Sequence, residues 1–332
     1  MSEIGKPAPS LTRGRELQAL LSVIGFVLVW TPGCAQAPAP ESGTPDLRDQ
    51  DITSPSHPPE SQTRPDYGYE LSTPDAEFKL DNDLVEISGL TVFDEGHLAA
   101  VEDEHGRFYV IDFETGNLDE VHRFAAKDDY EGIEMAGKRL FALRSDGQIR
   151  EIEDYDTDDP DSDKIKTPLG AKCDAEGLAF DADRNRLLIA CKEYPGKGLK
   201  RKRAIYALDL ESMELSDRPV YTISTREVSP DAGSAGDAIK DFVYPLVDLD
   251  GFKPSALAIH PVTKDIFVLS SVLKVIVVLT QDGSIRAILP LDKDMLEQPE
   301  GMAFLPNGDL FISSEGVRRK ARLVRFNYRP SR

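Results

Sequence analysis

The chain is short of positive charge. Lys and Arg number 39 against 59 Asp and Glu in 332 residues, a net charge of −20. That balance argues against a nucleic-acid partner, because phosphate binding needs a cationic surface. Cysteine is scarce too: only Cys34, Cys173 and Cys191 are present. With no histidine near the last two, a zinc centre is disfavoured. There is no Gly-x-Ser-x-Gly elbow and no His-Glu-x-x-His helix, so two common hydrolase signatures are missing. No stretch carries a helical period, which points to an all-β chain. An acidic run over residues 154–163 lacks the glycine and spacing of an EF-hand loop and reads as a solvated turn.

What is present divides the chain into three parts. In residues 1–34, Lys6, Arg13 and Arg15 precede a fourteen-residue apolar run, 17–30, interrupted by Gln18, Ser22 and Gly25. That length is short for a membrane span and suits an export signal. Thr31-Pro32-Gly33-Cys34 follows, close to a lipoprotein box, so Cys34 is the expected lipidation site; a cleaved soluble form and an uncleaved anchor stay open. Residues 35–66 hold seven of the 23 prolines and only Leu47 and Ile52 as large aliphatics. Such a segment cannot bury enough surface to fold and reads as a tether. Residues 67–332 form the globular head.

Within the head a short phrase recurs five times. It reads Ile87-Ser88-Gly89-Leu90, Tyr130-Glu131-Gly132-Ile133, Ala175-Glu176-Gly177-Leu178, Pro254-Ser255-Ala256-Leu257 and Pro299-Glu300-Gly301-Met302. Its third residue advances by 43, 45, 79 and 45, and a step of about 44 is the size of one four-stranded propeller blade. A short strand is expected after each phrase, then a polar turn and a second strand (98–101, 140–143, 187–190, 266–269 and 310–312). Third strands such as 108–111, 205–208 and 275–279 follow, then a fourth. Residues 224–240 read as an insertion that explains the long step, so five blades are favoured over six. The last unit lacks its outer strand, and residues 77–80 are expected to supply it, closing the ring and removing an exposed edge. A monomer is expected.

These phrases, with Glu86, Asp129 and Ala303 flanking them, resemble the SdiA-regulated domain family, propellers of the bacterial envelope. The resemblance covers nearly the whole head. It implies fold and location far more than chemistry, and implies kinship with calcium-dependent phytases and lactonases. The Asp-rich run of the former is absent here, and asparagines are too few for the amide ligands of the latter.

The fold predicts a site. Glu131, Glu176 and Glu300, with Ser88 and Ser255, hold one repeat position and should face one axis, with Glu86 two residues ahead of Ser88. Converging carboxylates and hydroxyls suit a hard cation such as calcium. Glutamates that merely fasten one blade to the next are the competing reading. Loops between second and third strands open on the same face and bring Asp103, Arg144, Lys192, Glu193 and Glu315 as expected ligand-binding residues. Two of these loops, 197–203 and 318–322, are strongly basic, which suits a small anionic ligand; a membrane-surface contact and two solvated hairpin tips are the competing readings. Cys173 lies just before one strand and Cys191 ends the next; a disulfide and a pair of buried free thiols both remain open. His105 alone of the histidines follows a mouth-side acidic pair. The expected function is an envelope-tethered module that binds a ligand or an envelope protein; the alternative is a metal-dependent phosphoesterase or lactonase.

Overall fold

The computed structural model describes residues 67–157, 160–225, 249–317 and 319–330. The expected export signal, Cys34, the expected tether, Arg318 and most of the insertion expected at 224–240 lie outside the described residues. Twenty strands are seen among the described residues, in five antiparallel sheets of four. Blade 1 contains β2 (Ile87–Val92), β3 (His97–Glu102), β4 (Arg107–Asp112) and β5 (Leu118–Arg123). Blade 2 contains β6 (Tyr130–Ala136), β7 (Arg139–Arg144), β8 (Ile149–Ile152) and β9 (Ser162–Ile165). Blade 3 contains β10 (Ala175–Asp181), β11 (Arg186–Cys191), β12 (Lys202–Asp209) and β13 (Tyr221–Ser224). Blade 4 contains β14 (Ala256–Ile259), β15 (Ile266–Ser270), β16 (Val275–Leu279) and β17 (Ile285–Pro290). Blade 5 contains β18 (Pro299–Phe304), β19 (Leu310–Ser314) and β20 (Arg322–Phe326), and its outer strand is β1 (Ala76–Lys79) from the start of the head.

That last pairing is the closure expected from the sequence. Ala76 lies opposite Arg325 and Lys79 opposite Arg322, so both ends of the head share one sheet. Buried residues of the inner strands face the neighbouring blades, and the core is accordingly split into five apolar clusters, one in each gap between blades. Ile276, Leu289, Met302 and Val324 fill the gap between blades 4 and 5, together with Tyr69 and Leu71. Leu90, Tyr109, Phe311 and Leu323 fill the gap between blades 5 and 1. Among the described residues the helical content is two single 3-10 turns, Asn82–Leu84 and Ala182–Arg184, and no described helix is long and apolar enough to cross a membrane.

The recurring phrase does not precede the innermost strand, as its spacing suggests; it forms the first part of it. There the ladder slips. Tyr130 pairs with Arg144 and Gly132 with Leu143, leaving Glu131 as an extra residue. The same slip leaves out Glu176 between Ala175 and Gly177, and Glu300 between Pro299 and Gly301. Such bulges re-aim the side chain of the extra residue. The glycine beside it has a separate cause. A Cβ on Gly89 would lie 2.6 Å from the Gly132 Cα, and one on Gly301 would lie 2.5 Å from the Ser88 carbonyl oxygen. The innermost strands meet too closely around the axis for a side chain at those points.

Candidate functional site

The bulges turn Glu131, Glu176 and Glu300 onto the central channel. With Gly89, Gly132, Leu257 and Met302 they line a cavity of about 10 Å³, room for about one water-sized sphere. Glu176 and Glu300 are only 5% and 9% exposed and Glu131 is half-buried, so the glutamates expected to converge do so largely away from water.

Three carboxyls crowded on one axis, two of them buried, cannot all ionise freely. Burial, then Glu176, then Asp129 push the Glu131 carboxyl well above its usual range. Burial raises Glu176 while the ammonium of Lys192, hydrogen-bonded to its Oε1, opposes that shift. The same contact, against burial, raises Lys192. Burial raises Glu300, with hydrogen bonds from Ser271 and Gln298 acting the other way; its Oε2 is buried without a partner. At the rim, burial and then Glu300 push Glu315 up to about 8. Burial and then Glu86 push Asp103 up to about 6, and its Oδ1 is also buried without a partner.

The other expected ligands have mixed fates. Ser88 is buried at the matching position of blade 1. Ser255 is a fastener: its hydroxyl donates to the Pro299 carbonyl at 3.0 Å and accepts from the Ser271 amide at 3.1 Å, tying blade 4 to blade 5. Glu86 is exposed and acts on the mouth only through its field. Arg144 is held by Asp128 at 2.9 Å and Asp146 at 3.2 Å. Glu193 is bound to Lys253. Cys173 and Cys191 form a disulfide across 4.8 Å between Cα atoms, joining the loop ahead of β10 to the end of β11.

The mouth loops are also stitched to one another by backbone bonds. Tyr130 N donates to the Asp103 carbonyl, Ala175 N to Ser145 and Gly316 N to Val85. The site is therefore framed on rigid neighbours. The two basic loops contribute less to it than their composition suggests. Arg203 donates to the Phe252 carbonyl at 2.6 Å and Arg322 pairs with Glu77 at 2.7 Å, so both hold the fold together. Lys197 and Lys200 are exposed.

Sequence reasoning missed four residues. Lys253 and Lys274 flank the blade-4 phrase and its partner loop, and with Lys192, Ser271, Val272, Gln298 and Glu300 they line a pocket of about 300 Å³ beside the channel. The signal available was a lysine near each of the two mouth loops of blade 4. Gln298, the third, reaches Glu315 with its amide. The fourth, Glu134, lies two residues past Gly132 in the same strand as Glu131; burial pushes it up to about 8 against a hydrogen bond from the Phe180 amide.

Histidine chemistry is peripheral. His105 Nδ1 lies 2.9 Å from Glu102, and His122 stacks on Phe108 with ring centroids 4.7 Å apart. Burial lowers His260 to about 4, and its Nδ1 accepts two backbone amides. His97, Asp112 and Asp119 cluster on the far face within 4.8 Å of one another. Their polar atoms serve turns there: Asp112 Oδ1 accepts the amides of Glu114 and Thr115, and His97 pairs with Asp94.

Five closed blades around a polar channel define a five-bladed β-propeller. The chain belongs to the SdiA-regulated family, whose model matches residues 59–318. A comparison with curated protein sequences finds no match. Among solved structures the chain is similar to the glutaminyl cyclase of Myxococcus xanthus, at 12% identity over 78% of this chain and 97% of that one, with a TM-score of 0.52. It is also similar to the PQQ-bound form of an aldose sugar dehydrogenase from Streptomyces coelicolor, at 13% identity over 77% and 99%, with a TM-score of 0.46. At these identities the likeness is one of fold, and fold alone does not carry an activity.

Proposed function

We propose that this propeller is a ligand-binding module of the cell envelope that holds a small polar ligand at the mouth of its channel. One observation carries the reading: Glu131, Glu176 and Glu300 converge on one buried point, with the Glu300 Oε2 left without a partner. A buried acceptor without a donor costs about 1–3 kcal/mol, and such uncompensated groups gather where a ligand completes them. The disulfide favours an oxidising compartment, in keeping with export and a lipid anchor at Cys34.

The same ring is the candidate seat of a divalent cation, with calcium matching its all-oxygen donors. Glu131 and Glu300 would hold it, and Glu176 would join on release of Lys192. Ser255 is not available, since both its bonds lie within the fold. Calcium therefore competes with the Lys192 ammonium and with the protons on the glutamates. Thermal melting with calcium and with chelator tests this: calcium raises the melting temperature of the wild type, and Glu300→Gln removes the rise. No shift at any calcium concentration would overturn the cation reading.

A metal-dependent phosphoesterase or lactonase is the second reading. It is favoured by Glu315, whose carboxyl at about 8 carries a proton at neutral pH and could act as an acid. Generic phosphoester and lactone substrates, assayed with calcium present, separate the two. Turnover that is lost in Glu315→Gln would establish the enzyme, and no turnover leaves the binding module.

A further inference from the structure

The pocket of about 300 Å³ beside the channel brings three lysines from two mouth loops of blade 4 and one of blade 3 to a wall shared with Gln298 and Glu300 of blade 5. Their charge balance differs. The Lys192 ammonium is bound to Glu176, and that of Lys253 to Glu193. Lys274 has a different partner: its ammonium donates to the Ser271 carbonyl. A carbonyl accepts a hydrogen bond but supplies no countercharge. Glu300, the acid that acts on Lys274, already takes hydrogen bonds from Ser271 and Gln298.

Lys274 is also half-buried, and its backbone is held at φ 54°. A non-glycine residue in that left-handed region is strained and persists only where its surroundings enforce it. Burial pulls its ammonium below the usual lysine range, with Glu300 acting the other way. Beside it Val272 is 56% exposed and offers an apolar wall.

We propose that this pocket is an anion subsite that takes a small organic oxyanion, a carboxylate or a phosphate monoester, with its charged group on Lys274 and Lys253 and its stem against Val272. The inference rests on the reading of the mouth as a ligand site and names the ligand class for it. A compact oxyanion gives Lys274 the charge-assisted hydrogen bond it lacks, a contact roughly twice as strong as a neutral one. Lysine presents a point charge that suits a single oxygen group. The volume is at the low end of ligand pockets, which start at about 300 Å³, so the ligand is small. Net charge does not decide against it: at physiological salt, charges beyond about 8 Å are largely screened, and the groups that count are those in the pocket wall.

Titration calorimetry and thermal melting of the exported full chain, at fixed ionic strength, test the proposal with five probes: succinate, glycerol phosphate, inorganic phosphate, glucose and ethylenediamine. Succinate or glycerol phosphate is expected to bind, and the stronger of the two identifies the oxyanion. Lys274→Met is expected to weaken binding at least tenfold and Lys253→Met several-fold. Lys274→Arg should keep most of the affinity, and Lys138→Met, at the exposed turn between β6 and β7, should change nothing. Melting without ligand reports whether each variant folds; if Lys274→Met does not, Lys253→Met carries the test. The proposal is overturned if the anions bind equally well to both methionine variants, or if Lys138→Met weakens them as much. Binding of glucose or ethylenediamine without the anions would sink the anion subsite and leave the ligand-binding mouth standing. No binding of any of the five probes would overturn the anion subsite, and no response to calcium besides would sink the mouth reading itself.

Discussion

Deleting residues 67–82 from the full chain removes the strand that closes the ring. The loss can be worked from the structure. β1 gives up its ladder to β20, from Ala76–Arg325 to Lys79–Arg322. Tyr69, Leu71 and Leu80, at 2%, 8% and 1% exposure, leave the clusters on either side of blade 5. Each such side chain contributes about 1.5–3 kcal/mol on burial, so the three together account for roughly 6 kcal/mol. The Tyr69 hydroxyl also loses its bond to the Gly308 carbonyl at 2.5 Å, worth about 1 kcal/mol. Against a total stability of about 5–15 kcal/mol for a domain, the deletion takes half or more. It also bares the outer edge of β20, which invites edge-to-edge pairing. Urea unfolding followed by tryptophan-independent far-UV circular dichroism gives the measurement. The deleted chain should unfold at a much lower midpoint or aggregate. Leu80→Ala provides the graded version, with a loss of about 2–5 kcal/mol. A deleted chain whose midpoint and slope match the full chain would refute the closure argument.

Four further outcomes are expected. Replacing Cys173 and Cys191 by alanine opens a loop with a sequence separation of 18 and should cost about 3 kcal/mol, read as a shifted urea midpoint that reductant reproduces in the wild type alone. The raised carboxyls set a pH dependence: Glu315, at about 8 when folded against 4.5 for the free side chain, binds more protons folded than unfolded between those values, so stability falls as pH rises through that window. Glu315→Gln should flatten the fall, by on the order of 2 kcal/mol at pH 8 once solvent screening is allowed for, and have no effect at pH 4; an unchanged profile would refute it. Calcium, which must displace the proton from Glu131, should raise the melting temperature more at pH 8 than at pH 6, and Glu176→Gln should alter that response. Cys34→Ser should move the protein from the membrane to the soluble fraction of cells, and a wild type already soluble after export would rule out the lipid anchor.

The phrase spacing and the alternation of apolar residues were enough to read five blades, their strands and the closing strand. Repetition makes this legible, because each blade buries its faces only against its neighbours, so the same local pattern must recur at the blade length. The common position of Glu131, Glu176 and Glu300 was legible for the same reason. The cause of their inward aim was not: a bulge is a mismatch between two strands, and one strand's sequence does not contain its partner's register. Nor did the phrase explain its own glycines, which are demanded by the strand of the next blade around the axis.

Charge pairing lies further still from sequence. The basic runs at 197–203 and 318–322 are conspicuous in the chain, yet Arg203 and Arg322 fasten strands. Lys253 and Lys274 are single lysines in unremarkable contexts, yet they face one pocket with Lys192. By itself the sequence determined the architecture, the closure and the ring position of the glutamates, because those follow from repeat length and strand period. Tertiary structure alone decided which charges meet, which are neutralised and which stay unmatched, because residues far apart along the chain come within hydrogen-bond reach only when the ring closes.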